Sequence, residues 1–166
     1  HGEVELFSPE SRVVVRTLTG HRGAVNALAF SADGRTLASA AGEPALFGEA
    51  KLWNAADGKL QRTIEGHRDA LYSIALSPDG KLIAYLSEKN FFFIDFYLAD
   101  GETGKVIKKL AKSIFDANYE TFRYISSTSS WSPDSKYLVF AARAQGGDDI
   151  VVFDPIRRKA IRRIRV

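Results

Sequence analysis

Cysteine and methionine are both absent from this 166-residue sequence. Without thiols there can be no disulfide, no thiolate metal site and no cysteine nucleophile, and nothing in the chain ties it to one redox compartment. Without methionine the sequence as written does not open on a start codon. The expectation is that His1-Gly2 marks a cut point and that the chain is a piece of something longer, or made to order. Long apolar runs are missing too: the longest strong one is Phe91-Phe92-Phe93-Ile94. That is too short for a transmembrane helix or a signal peptide within these residues. The reading is a soluble chain with no membrane partner and no assignable compartment.

Histidine is scarce, with three residues. The chain contains no Gly-x-Ser-x-Gly, His-Glu-x-x-His or phosphate-cradling glycine loop. No catalytic residue, no cofactor and no enzymatic activity are therefore expected. His1, Glu3 and Glu5 alternate at a chain start, where solvation is the better reading than metal binding. Gly146-Gly147-Asp148-Asp149 offers too few oxygens for calcium and reads as a hairpin turn, so no metal site is expected. Acidic residues are missing from Ile156 to Val166, which carries Arg157, Arg158, Lys159, Arg162, Arg163 and Arg165, more positive charge than the net +3 of the whole chain. On a strand, successive side chains face opposite ways, so about half of these cations can meet one phosphate backbone. A solvated outer strand whose charges discourage edge pairing is the simpler reading, and no specific nucleic-acid partner is expected.

What the sequence does contain is a repeat. Residues 20–34 (GHRGAVNALAFSADG) lie over 66–80 (GHRDALYSIALSPDG) without a gap at an offset of 46, and the same offset pairs Leu6 with Leu52, Arg16 with Arg62 and Gly58 with Gly104. Such self-similarity marks a repeat architecture. Apolar runs broken by SADG, ADGK, SPDG, ETGK and SPDS read as short strands joined by hairpin turns. In the first full unit the strands are expected at Val25–Phe30, Arg35–Ala40, Ala50–Trp53 and Lys59–Ile64. Four antiparallel strands per repeat make a propeller blade. The fold class is thus all-β, with a half blade at 3–18, blades at 25–64, 71–110 and 125–166, and residues 1–166 forming one partial propeller domain of about 3.5 blades. Closed propellers have typically 4–8 blades, so the ring is expected to close by homodimerisation.

Gly20-His21 and Gly66-His67, Ser-Pro-Asp-Gly after the inner strand, and Lys51-Leu52-Trp53-Asn54 resemble WD repeats over residues 3 to about 87. That resemblance implies a buried network of His, Ser or Thr, Asp and Trp in each blade. His21, Ser39 and Trp53 fill three of those places and His67 repeats His21, but the family's Asp is replaced by the connection Gly42 to Glu49, so the network is expected to be incomplete. Trp131-Ser132-Pro133-Asp134 and Asp149-Ile150-Val151-Val152-Phe153-Asp154 are instead similar to TolB-like blades, over about 82–166. Ser77 to Ser132 is a step of 55, so nine residues are inserted, with Ser113 to Tyr124 the expected place. Two origins fit this mixture: a bacterial hybrid family, or an engineered chimera of two parents without a native function.

Asp33, Asp79 and Asp134 recur at turns, where Asp side chains bond the backbone two residues on. In a propeller the connections between strands two and three share one face with those between blades. Leu46, Phe47, Lys89, Asn90, Phe91, Phe115 and Tyr119 would all lie there, and apolar residues in loops that should be wet suggest a surface for proteins or peptides. The functional reading is a non-catalytic, self-assembling interaction scaffold. The alternative is the regulatory or substrate-gating propeller of a bacterial hydrolase or periplasmic assembly protein.

Overall fold

The structure is a computed structural model that describes residues 2–88, 94–112, 121–122, 129–144 and 146–166. Every regular element among them is a strand, and none is a helix long and apolar enough to cross a membrane. An N-terminal pair, β1 (Val4–Ser8) and β2 (Val13–Leu18), precedes three antiparallel sheets. The first sheet is β3 (Ala24–Phe30), β4 (Thr36–Glu43), β5 (Phe47–Asn54) and β6 (Leu60–His67), paired in chain order. The second is β7 (Leu71–Leu76), β8 (Leu82–Glu88), β9 (Ile94–Asp100) and β10 (Val106–Lys112), again in chain order. In the third, β11 (Thr121–Phe122) and β12 (Ser130–Trp131) both pair with β13 (Leu138–Ala144), which is followed by β14 (Gly147–Asp154) and β15 (Lys159–Arg165).

The sheets stack face to face, because period-2 alternation gives each strand two apolar faces and each face a neighbour. Along β4, Leu37 joins Trp53, Val4 and Leu18 against the N-terminal pair, while Ala38 and Ala40 join Ile74, Ile83 and Tyr85 of the second sheet. The other face of the second sheet presents Leu86, Phe96 and Leu98 to Leu138, Phe140, Val151 and Phe153 of the third. Among the described residues the two ends of the stack have no such neighbour. Phe7 alternates with the inward Val4 and Leu6 and is exposed, as are Val13, Val14 and Val15. Ile150 alternates with the buried Val151, pairs across the sheet with Ile164, and both are exposed.

One turn is built three times. Between the first two strands of each sheet a Ser hydroxyl donates to an Asp two residues on: Ser31 to Asp33 at 2.7 Å, Ser77 to Asp79 at 2.6 Å and Ser132 to Asp134 at 2.6 Å. The same Ser oxygen accepts the N–H of Thr36, Leu82 or Tyr137, each at 2.9 Å. These hydrogen bonds, the Ser hydroxyl's first, hold all three carboxyls below their ordinary pKa. Gly34 and Gly80 supply the left-handed conformation the turn requires, and Ser135 adopts it at φ 59° in the third copy.

Two strand boundaries differ from the sequence reading. Gly42 to Glu49 is not a loop: Gly42 pairs with Gly48 and Glu43 with Phe47, leaving a tight turn at 44–46 with Ala45 at φ 64°. β4 and β5 are accordingly longer than the expected Arg35–Ala40 and Ala50–Trp53. Along the edge of β13, Thr121–Phe122 pair with Ala142–Arg143 and Ser130–Trp131 with Leu138–Val139.

Candidate functional site: a loop face over buried carboxylates

Third strands all start at the end of the sheet reached by the connections from strand two. Each carries a buried carboxylate there: Glu49 on β5, Asp95 on β9 and Asp149 on β14. Each stands four residues before the position occupied by Trp53, Ala99 or Phe153, and those three positions face Leu37, Ile83 and Leu138 at equivalent points of the ladder. A buried carboxylate needs a cation or several donors to offset lost hydration, and each has them. Asp95 is paired with Lys109, and Asp149 with Arg165 at 2.9 Å.

Glu49 is the most fully committed. It is 1 % exposed and accepts from His21 Nδ1 and from the Arg22 backbone N–H, both at 2.9 Å. Lys51 Nζ stands 3.4 Å and Arg22 Nε 3.7 Å from its second oxygen. Burial alone would raise the Glu49 pKa, but the Arg22 and His21 hydrogen bonds and the Lys51 charge together hold it below the ordinary carboxylate value. Burial also lowers the His21 pKa, against the pull of Glu49, so His21 is neutral with its proton on Nδ1. Nε2 then accepts the Ser39 hydroxyl at 2.6 Å, and Ser39 Oγ accepts the Trp53 indole N–H at 2.7 Å. The result is an unbroken chain, Trp53 to Ser39 to His21 to Glu49. The expected gap in the network is filled, because the lengthened β5 brings Glu49 to the place left by the missing Asp.

His67 takes no part in that chain. Tyr85 replaces Ser39 one repeat later, and its phenol lies 2.9 Å from His67 Nε2. Burial raises the Tyr85 pKa and lowers that of His67, so the protonated phenol donates to a neutral imidazole. Tyr97 stacks on Tyr85 with ring centroids 5.5 Å apart, and burial followed by the nearby Asp95 charge pushes its pKa up to about 12. The second sheet thus replaces a hydroxyl relay with an aromatic one.

Above Glu49 the surface is firm. The Arg22 guanidinium lies 4.5 Å from the Phe47 ring centroid, a cation–π contact, and Leu46 projects at the hairpin tip, 65 % exposed. Gly48 lets this hairpin press on the next connection, since a Cβ there would collide with the Asp69 carbonyl oxygen. Asn26 Nδ2 donates to Leu71 O at 3.0 Å across the two inner strands. Of the residues expected on this face, Leu46 is exposed and Phe47 half-buried beneath Arg22. Lys89, Asn90, Phe91, Phe115 and Tyr119 lie outside the described residues. On the opposite side, a cleft of about 150 Å³ lies between the first and second sheets, lined by Ser31, Asp33, Leu76 and Asp79 among others. Its two carboxylates are already engaged by the turns described above. Among the described residues no group of three or more His, Asp or Glu is placed to hold a metal ion.

With four-stranded sheets, Ser-x-Asp turns and the Trp53–Ser39–His21 relay in place, the comparison with known families is decisive for two segments. Residues 12–43 and 58–87 match the WD domain, G-beta repeat. Each match runs from the last strand of one sheet through the first two strands of the next, β2 to β4 and β6 to β8. No curated protein matches the chain. WD repeats build β-propeller blades and commonly serve as non-catalytic surfaces for protein–protein interaction. The carboxylates that sequence reasoning missed were accessible by offset: Glu49 and Asp95 are 46 residues apart.

Proposed function

We propose that residues 1–166 form one partial propeller that works as a non-catalytic interaction scaffold, binding proteins or peptides on the loop face around Arg22, Leu46 and Phe47 and assembling with a second copy through its two open ends. The observation that carries this reading is the contrast between the inside and the ends of the stack. Inside, Glu49, Asp95 and Asp149 are each paired with a cation and the chain from Trp53 through Ser39 and His21 to Glu49 is closed. At the ends, the cross-strand neighbours Phe7 and Val14 on one side and Ile150 and Ile164 on the other remain exposed. Apolar sheet faces of this kind drive association. Two copies meeting end to end twice give a closed two-fold ring in which both faces are hidden. The charges favour that meeting, since Glu3 and Glu5 flank the N-terminal face and Arg162 flanks Ile150 and Ile164. In this reading the third sheet comes from a TolB-like lineage joined to WD repeats, and Phe153 at the place of Trp53 supports it.

The test is a pair of charge insertions, Ile150→Glu with Ile164→Glu, read by light scattering. Expected is dissociation to single chains with the sheets intact by circular dichroism, whereas Leu46→Ser leaves the mass unchanged. Association undiminished by the double variant would refute assembly through the ends.

A further inference from the structure

Among the described residues four acidic side chains are buried: Glu49, Asp69, Asp95 and Asp149. Three of them hold a cation supplied by the chain itself, Lys51, Lys109 and Arg165. Asp69, 4 % exposed, pairs with none among the described residues. Its Oδ1 accepts the Ala70 backbone N–H at 2.6 Å and the Tyr72 hydroxyl at 3.1 Å, while Oδ2 accepts from no described donor. Arg68, its neighbour in sequence, is exposed and does not pair with it. Nor is Oδ2 sealed in the interior as the Ser73 hydroxyl is, so it keeps contact with solvent. A buried carboxylate without a counter-charge destabilises a fold. A chain that compensates three such groups and leaves a fourth open therefore carries a charge its own packing does not use. The place of that charge is fixed. Asp69 lies on the connection from β6 to β7, at the same end of the sheets as the β4–β5 hairpin: a Cβ on Gly48 would meet the Asp69 carbonyl oxygen, and one on Gly42 would meet the Ala70 Cα. The Ser87 hydroxyl also donates to the Asp69 carbonyl, at 3.4 Å. The open oxygen thus sits on the loop face, beside the hairpin that carries Leu46 and Phe47.

We propose that Asp69 anchors the loop face by taking the ε-ammonium of a lysine on a partner protein. This rests on the loop face being the protein-binding surface named above, and adds the chemistry the partner must bring. The choice of lysine follows from the free oxygen count. An arginine fork engages both oxygens of a carboxylate, but Oδ1 already accepts two donors, whereas an ammonium is a compact point charge that one oxygen can hold. A metal ion needs several converging oxygens, and no group of three His, Asp or Glu gathers among the described residues. A lysine stem lies along apolar surface while its head stays charged, and Leu46 on the adjoining hairpin, 65 % exposed, offers such a surface. Arg22 does not compete for Asp69, since its guanidinium is held by Glu49 and Phe47. Once the lysine is seated, Asp69 reaches the state that Asp95 has with Lys109.

The experiment uses the full chain, isotopically labelled, with end-capped lysine, Nε-acetyl-lysine, arginine and norleucine as probes. Amide NMR titration is expected to show a saturable shift at Ala70 with lysine in the millimolar range, and binding about tenfold weaker for Nε-acetyl-lysine and norleucine, which lack the charge. Arginine should fall between them. Asp69→Asn keeps a carbonyl oxygen for the Ala70 N–H and the Tyr72 hydroxyl, and should lose lysine binding about tenfold. The same variant should melt at or above the parent's temperature at equal concentration, since it removes an uncompensated buried charge. A melting temperature lowered as far as in Glu49→Gln would show that the carboxylate serves the fold, and would overturn the proposal. Shifts at Arg22, Leu46 and Phe47 that persist unchanged with Nε-acetyl-lysine and in Asp69→Asn would overturn the lysine anchor while leaving the loop face as a binding surface. No saturable shift with lysine would overturn it too. Chain mass measured on the same samples shows separately whether self-assembly holds.

Discussion

Removing the Glu49 carboxylate tests the buried relay directly, because so much converges on it. In Glu49→Ala the His21 Nδ1–H and the Arg22 N–H lose acceptors at 2.9 Å, and Lys51, whose side chain is 8 % exposed, loses its counter-charge at 3.4 Å. Breaking a buried pair by deleting one partner costs about 3–5 kcal/mol, most of it from the charge left behind. Glu49→Gln keeps a carbonyl oxygen for both donors, which share Oε1, but loses the charge facing Lys51 and Arg22, so about 2 kcal/mol is expected. For a chain of this size 1 kcal/mol moves the melting temperature by roughly 2–4 °C, which puts the alanine variant roughly 6–20 °C below the parent. Urea denaturation at fixed protein concentration gives the free energies, and concentration must be fixed because assembly shifts apparent stability. Glu43→Ala, an exposed acid on the same hairpin, is the control and should stay within about 0.5 kcal/mol. If both Glu49 variants matched that control, the carboxylate would not be holding the network and the argument from burial would fail.

Other consequences are equally direct. Tyr85→Phe strands His67 Nε2 and should cost about 1–2 kcal/mol by urea midpoint; an unchanged midpoint would show that the 2.9 Å contact contributes nothing. His21 and His67 are both held below the ordinary value of 6.5 by burial. The unfolded chain therefore takes up protons below about pH 6.5 that the folded chain refuses, and stability should fall from pH 7 to pH 5; a flat or rising profile would contradict neutral, buried imidazoles. Gly48→Ala forces a Cβ into the Asp69 carbonyl oxygen and should cost about 1–3 kcal/mol, checked by the same denaturation series. The basic end should bind oligonucleotides weakly and lose them with added salt, because Arg157 is paired with Asp154 at 3.7 Å, Arg165 with Asp149 at 2.9 Å, and Arg158 donates to the Lys109 carbonyl at 2.8 Å; sub-micromolar binding at physiological salt would refute this.

Strand order and turn chemistry were legible because they depend on local spacing. The Ser-x-Asp turns need only four or five consecutive residues, and alternation assigns faces by parity. Glu49 was not legible because the family pattern directs attention to an Asp in a short turn, while this chain lengthens β4 and β5 and supplies the carboxylate from within a strand. Offset alone would have found it, since Asp95 repeats it at 46 residues and Asp149 holds the same place before Phe153. Tyr85 in place of Ser39 was hidden for a related reason: the aromatic relay with His67 and Tyr97 conserves a contact while changing the residue types. The pairing of Thr121–Phe122 and Ser130–Trp131 with β13 falls where the repeat register is lost, so no internal copy existed to predict it.

The central proposal is that two copies of the stack close one ring, and the mass in solution decides it. Sedimentation equilibrium across micromolar concentrations should give a species of two chains, twice the chain mass of 18.3 kDa, with no single-chain population at the upper end. A stable species of one chain mass throughout that range would contradict the account.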